Sequence, residues 1–261
     1  MKTSIIVPWS PNDEAIAASA ARAAAAGFDG LEIAMARPAG DSSAASVEEC
    51  RRLRQVVEKA GQAVSAISVE DLAAEDFAIS GTGKDRPRWT KVQGVIDSAR
   101  EMGADGVIVR ADVLGAIGVE ERHRCLETIH ARAMEALWGL RSRAELRAVR
   151  ISCLSGDGGL SRSPTETRRF LDQINSPWVG LCLDLAGMTV GEANEWIGLL
   201  GHRIGRVRLG DAALEEGAPM ERVATALGRI RYDGWVTYRG ERDWSDAASR
   251  LRHGLQSAGG R

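Results

Sequence analysis

A closed (β/α)8 barrel, a single α/β domain over residues 1–261, is the fold this sequence predicts, and three observations predict it. Short apolar runs alternate with longer stretches of helical periodicity eight times along the chain, and such alternation builds a parallel sheet that about 250 residues can close into a barrel. The apolar runs are nearly continuous, as in Val179-Gly180-Leu181-Cys182-Leu183, which reads as strands covered on both faces. No low-complexity linker divides the chain. An open, doubly wound sheet is the alternative, and it is weaker because no glycine-rich phosphate fingerprint follows the first strand.

The elements follow in order. Ser4–Val7 is an apolar run ended by Pro8, the first strand. Asp13–Ala26 is alanine-rich and closed by Gly27, a helix with a glycine stop. Gly30–Ala34 is the second strand and carries Glu32. Val47–Ala60 places Leu53, Val56 and Val57 on one helical face, and Ala63–Ser68 is the third strand, with Glu70 and Asp71 just beyond. Lys84–Met102 repeats Trp89, Val92, Val95, Ile96 and Ala99 at helical spacing before Gly103. Gly106–Val109 is the fourth strand, followed by Arg110, and Glu120–Leu146 is a long charged helix. Val149–Leu154 is the fifth strand, with a glycine-rich loop after it. Ser163 caps a helix over Pro164–Ile174, with proline at its first position. Val179–Leu183 is the sixth strand, Gly191–Leu200 a helix, and Ile204–Leu209 the seventh strand, ending in Gly210-Asp211. Pro219–Ile230 is helical, Trp235–Tyr238 is the eighth strand, and Asp246–Leu255 is the last helix.

Composition narrows the partners. With 44% hydrophobic and 27% charged residues and a formal net charge of −2, nothing argues for nucleic acid or a membrane surface. No 18-residue apolar run is present, and the first residues enter a strand without the apolar core of a signal peptide. The four cysteines, Cys50, Cys125, Cys153 and Cys182, form no metal-binding or redox spacing, so reduced thiols in a cytoplasmic protein are expected. His123, His130, His202 and His253 fall on helices or helix ends and are read as surface or capping residues, the first two on the outer face of one helix.

Chemistry in a parallel barrel gathers at the C-terminal ends of the strands. Asp184 ends the sixth strand, Asp211 follows the seventh, and Arg110, Arg208 and Arg239 all fall at strand ends. Guanidinium groups stay protonated and coordinate no metal. Together with Glu32, Glu70, Asp184 and Asp211 they are read in two ways: as a salt-bridge lattice across the mouth, or as an anion pocket gripping a phosphate or carboxylate. In the lattice reading Arg208 points into the barrel and takes Asp184, one strand away, as its partner.

Several segments resemble the xylose-isomerase-like, or sugar phosphate isomerase/epimerase, family of TIM barrels. They are Ala25-Ala26-Gly27-Phe28-Asp29-Gly30-Leu31-Glu32, Ala99-Arg100-Glu101-Met102-Gly103-Ala104-Asp105, Asn175-Ser176-Pro177-Trp178-Val179-Gly180-Leu181-Cys182-Leu183-Asp184 and Tyr232-Asp233-Gly234-Trp235-Val236. The resemblance implies a divalent metal held by a Glu, an Asp, a His and a Glu after strands five to eight, and two carboxylates that move protons on either side of an enediol. This sequence keeps the Asp as Asp184 but aligns Leu154, Arg208 and Arg239 with the other three ligands, and Gly187 with a further His. A small register shift would bring in Glu241. The expectation is therefore no bound metal, or magnesium held weakly by carboxylates and water.

Two classes of function follow. The first is an isomerase or epimerase of a sugar, sugar phosphate or related acid, with Asp184, Glu70 and Glu241 as proton-transfer groups and Arg110, Arg208, Arg239, Asp211 and Glu32 binding substrate. The second is a non-catalytic barrel that binds a small sugar or anionic ligand or serves as a scaffold. Either is compatible with a homo-oligomer.

Overall fold

In the computed structural model, which describes residues 1–35, 45–69, 90–115, 126–155, 163–215 and 220–257, eight parallel strands close a barrel in sequential order. They are β1 (Lys2–Pro8), β2 (Gly30–Ala34), β3 (Ala63–Ser68), β4 (Gly106–Val109), β5 (Arg150–Leu154), β6 (Val179–Asp184), β7 (Ile204–Leu209) and β8 (Trp235–Tyr238). The described helices are α1 (Asp13–Ala26), α2 (Val47–Lys59), α3 (Thr90–Glu101), α4 (Ala111–Gly115), α5 (Leu126–Arg147), α6 (Pro164–Ile174), α7 (Val190–Leu200), α8 (Met220–Arg229) and α9 (Trp244–Ser257). None of them is long and apolar enough to cross a membrane.

Local sequence explains the helix ends. The Asn12 side chain accepts from the Glu14 N–H to start α1, and Gly27, at φ 94°, ends it by donating to the Ala23 and Ala24 carbonyls. Ser46 with Glu49, and Thr189 with Glu192, close reciprocal capping boxes on α2 and α7. Ser163 caps α6, and Pro164 is its first residue. The long charged helix expected from residue 120 is described from Leu126, and α4, which packs against it, is a separate turn. Five residues are too few for a periodicity to register. The start of the helix expected from Lys84, through Trp89, lies outside the described residues. His130 does not face outward: its ring packs on buried Phe170 with centroids 4.5 Å apart.

Strand alternation sorts the core into two layers. Ile5, Leu31, Ile67, Val107, Ile151, Leu183, Val207 and Val236 join the helices in one large apolar cluster. Ala66, Ile108, Leu154 and Cys182 form a second, separate cluster, contributed by β3 to β6. The remaining strands send buried polar groups between their apolar residues: Ser4, Glu32, Arg206, Arg208 and Thr237. Burying these groups is tolerable only where they pair with one another. Ser4 Oγ and Thr237 Oγ1 do so at 2.9 Å. The strand register shifts twice, between Leu31 and Glu32 against β3 and between Leu181 and Cys182 against β7. These irregularities insert Ser65 and Gly205 as extra residues, and such bulges re-aim neighbouring side chains.

Candidate active site

At the C-terminal rim, Asp184 is the last residue of β6 and its side chain is 13% exposed. Its backbone N–H donates to Ser155 Oγ at 2.8 Å, and its Oδ1 accepts from the Ala186 N–H at 2.9 Å. This turn fixes the carboxylate while leaving its other oxygen toward Arg239, whose Nη1 lies 3.8 Å from Oδ2. Arg239 is 56% exposed, so the pair borders open solvent.

Asp211 follows β7 and faces the β8 end. It accepts a hydrogen bond from the Tyr238 hydroxyl and another from the Glu241 N–H at 3.0 Å, and Arg242 Nε lies 3.6 Å away. The phenolic donor, reinforced by the backbone N–H, holds the Asp211 carboxyl below the usual carboxylate range. Burial, and then the same hydrogen bond, push the Tyr238 hydroxyl upward. The hydroxyl also accepts from the Arg242 N–H at 2.9 Å. A Cβ at Gly240 would stand 2.6 Å from Asp211 Oδ1, so glycine is what lets the chain pass over this pair.

Arg208 points inward as alternation requires, but its partner is not Asp184. Although Asp184 and Arg208 are register neighbours, Arg208 Nη2 donates to Glu32 Oε1 of β2, and neither side chain has exposed surface. The expected Arg208–Asp184 pair is therefore corrected. A guanidinium on a three-methylene stem reaches across the interior, where a buried acid without a cation would be far costlier than Asp184 left at the rim.

Arg110 turns to the first turn of α4, where Nε and Nη2 donate to Asp112 at 3.1 and 2.8 Å. The Glu241 side chain is exposed, and only its backbone joins the Asp211 cluster. Glu70 lies outside the described residues. The rim thus gathers Asp184 with Arg239, and Asp211 with Tyr238 and Arg242, while Glu32 and Arg208 pair beneath them. Tyr238 and Arg242 carry no sequence signal of this role: Tyr238 is an aromatic at a strand end, and Arg242 is one of many arginines that follow strands or lie on helices. The Arg206-Val207-Arg208 alternation did carry a signal, since a strand that turns Val207 to the helices must turn both arginines inward.

The metal implied by the resemblance needs several converging anionic or imidazole donors. Among the described residues no three His, Cys, Asp or Glu side chains are grouped to hold one. Leu154 sits in the apolar interior cluster, Arg208 and Arg239 are cations, and the Asp184 and Asp211 oxygens already accept from backbone N–H groups. The described donor set does not fit a divalent cation. The thiols do not supply one either: Cys50, Cys153 and Cys182 are buried and in no disulfide, and burial pushes Cys153 up to about 12.

A closed parallel barrel with its accessible charges at the C-terminal rim is the architecture of barrels that act on or bind small molecules in a loop-lined mouth. Residues 20–258 match the family model described as Xylose isomerase-like TIM barrel, and the chain belongs to that family. Among solved structures it is similar to D-psicose 3-epimerase with D-tagatose from Clostridium cellulolyticum H10, at a TM-score of 0.72 and 16% identity over 99% of this chain and 98% of that one. L-ribulose 3-epimerase superposes at 0.76 with 20% identity over 98% and 95%. The apo 3-keto-D-glucoside 4-epimerase of E. coli does so at 0.72 with 15% identity over 97% and 99%. At these identities the likeness shows the fold. None of the curated proteins matches this chain.

Proposed function

We propose that this chain is an isomerase or epimerase of a sugar, sugar phosphate or related sugar acid that works without a bound metal. The observation that carries the reading is the Asp184–Arg239 pair: a carboxylate fixed by its backbone turn, with a half-exposed guanidinium 3.8 Å away. Substrate enters the mouth and slides its carbonyl oxygen toward Arg239. Asp184 accepts the proton from the carbon next to that carbonyl. Arg239 stabilises the developing enediolate oxygen, the role of an electrophile placed where charge appears. Return of the proton to the other face or the neighbouring carbon completes epimerisation or isomerisation, with Glu70 or Glu241 as the second proton-transfer group. Arg110 and Asp211 bind hydroxyl or acid groups at the rim, and the Glu32–Arg208 pair fixes the floor.

Support for the chemistry comes from the family and from neighbours that are sugar epimerases. A second reading, a ligand-binding barrel without turnover, is favoured by Arg208 and Arg239, which cannot accept protons where the resemblance implies ligands and bases. Incubation in D2O with D-fructose, L-ribulose and hexose phosphates, in EDTA, separates the two. Deuterium at the carbon beside the carbonyl, lost in Asp184→Asn, supports the enzyme. Binding without any exchange supports the second reading. Exchange that appears only with added manganese would overturn the metal-free mechanism.

A further inference from the structure

The end of the barrel opposite the mouth contains a cavity of about 350 Å³ lined by Asp105, Arg150, Trp178, Gly205, Arg206 and Tyr232, among others. Two strand arginines line it, Arg150 at the start of β5 and Arg206 on β7. Arg206, only 3% exposed, donates from Nη2 to the Ser65 carbonyl at 2.5 Å and pairs with Asp105, which is 67% exposed. Arg150 donates from Nη2 to the His202 and Arg203 carbonyls at 3.0 and 3.3 Å and meets no carboxylate among the described residues. Burial, which outweighs the opposing pull of Tyr232 and is helped by the Arg206 charge, holds the Arg150 guanidinium below its ordinary value.

Space for both guanidiniums is made by missing side chains. A Cβ on Gly106 would lie 2.5 Å from Arg206 Nη2, and one on Gly180 would lie 2.6 Å from Arg150 Nη2. A Cβ on Gly205, the bulge residue, would lie 2.7 Å from Ser152 Oγ and 3.1 Å from Arg150 Nε. Three buried polar atoms here, Arg150 Nε, Arg206 Nη1 and Ser152 Oγ, make no hydrogen bond among the described residues. The lining holds the cations of Arg150, Arg206 and Arg231 against the anions of Asp105 and Asp233, a surplus of one positive charge. A half-buried guanidinium that meets no carboxylate is costly, and one small oxyanion seated in the cavity against Arg150 would offset the surplus charge.

We propose that the N-terminal end of this barrel is an anion site for a phosphate or phosphoryl group, held by Arg150 and Arg206 and separate from the sugar mouth. Arg206 lies two residues below Arg208 on β7, so the anion also steadies the strand that carries the floor of the mouth.

The test is thermal unfolding and 31P line broadening with inorganic phosphate and, separately, glucose 6-phosphate, each against chloride at matched ionic strength. Wild type should show a saturable rise in Tm of about 2–4 °C near ten times Kd. Arg150→Met should lose it, and Arg239→Met, at the mouth, should keep the response to inorganic phosphate. Asp105→Asn, which removes the competing carboxylate, should tighten binding about tenfold, a gain no merely damaged variant mimics. Tighter binding of inorganic phosphate identifies the free ion as the ligand, and tighter binding of the ester identifies a phosphorylated metabolite. The proposal is overturned if wild type responds no more than to chloride, or if the response survives Arg150→Met and disappears in Arg239→Met. Should Arg150→Met fail to fold, unchanged or weaker binding in Asp105→Asn overturns it alone.

Discussion

Arg208 of β7 and Glu32 of β2 form an ion pair inside the barrel with no exposed side-chain surface on either partner. β8 and β1 lie between their strands, so the pair ties opposite parts of the wall together through the interior. It also removes Arg208 from Asp184 and leaves the rim carboxylate to Arg239.

A buried pair of this kind predicts a large penalty for breaking it and a small one for removing it whole. Arg208→Met alone, or Glu32→Leu alone, should lose about 3–5 kcal/mol in urea unfolding because each strands a buried charge. The double variant should lose far less than the sum, with a coupling well above about 1 kcal/mol. Additive losses would show that the two side chains do not depend on each other.

The Asp184–Arg239 pair should behave in the opposite way. With Arg239 56% exposed, Arg239→Ala should change stability by no more than about 1 kcal/mol. Its effect should fall on the chemistry: deuterium exchange into substrate should drop about 10²-fold or more if the guanidinium stabilises an enediolate. A large stability loss with unchanged exchange would place Arg239 in the scaffold instead.

Metal content offers an independent check on the donor set. Purified protein dialysed against buffer should carry zinc, manganese and cobalt at well below one per chain by plasma emission analysis. A ratio near one would mean that residues beyond those described complete a site around Asp184.

Tyr238 and Asp211 give a titration that can be followed directly. Tyr238→Phe removes the main cause of the depressed Asp211 value, so the carboxyl 13C titration midpoint of Asp211 should move up toward the ordinary range near 3.9. Because the folded value is lowered, this group's contribution to stability is complete above the unfolded value and is lost as pH falls through the folded one. The variant should therefore be less stable than wild type at neutral pH, by about 0.5–1.5 kcal/mol, and the gap should narrow in acid. An unmoved midpoint would rule out the hydrogen bond.

Asp97 on α3 supplies a second acid-sensitive contact, between helices. Burial raises its carboxyl, but Arg143 and Arg147 of α5, whose guanidiniums approach within 2.5 and 2.7 Å, outweigh that and hold it below the ordinary range. The sign is the same: stabilisation is present above about pH 4 and disappears below it. Asp97→Asn should destabilise by about 1 kcal/mol at pH 7 and converge on wild type near pH 2. A constant difference across that range would show the loss to be one of packing.

The sequence by itself determined the barrel and the positions of its strands. β3, β4, β7 and β8 fall where the apolar runs end at glycine, serine or a charge, and α1 and α6 run between the caps that Gly27, Ser163 and Pro164 announce. Those signals are local: strand burial, helix periodicity and capping each act within a few residues. It also placed Asp184 and Arg239 at strand ends and turned Arg208 inward, since alternation on a strand is local too. Only the tertiary structure decided who pairs with whom. Arg208 takes Glu32 rather than Asp184, Arg110 takes Asp112, and Arg150 and Arg206 meet at the far end of the barrel. The deciding distances are set by barrel closure and by two bulges, at Ser65 and Gly205. A long arginine can reach several acids, so its choice depends on which carboxylate is most desolvated, and burial is a property of the whole fold.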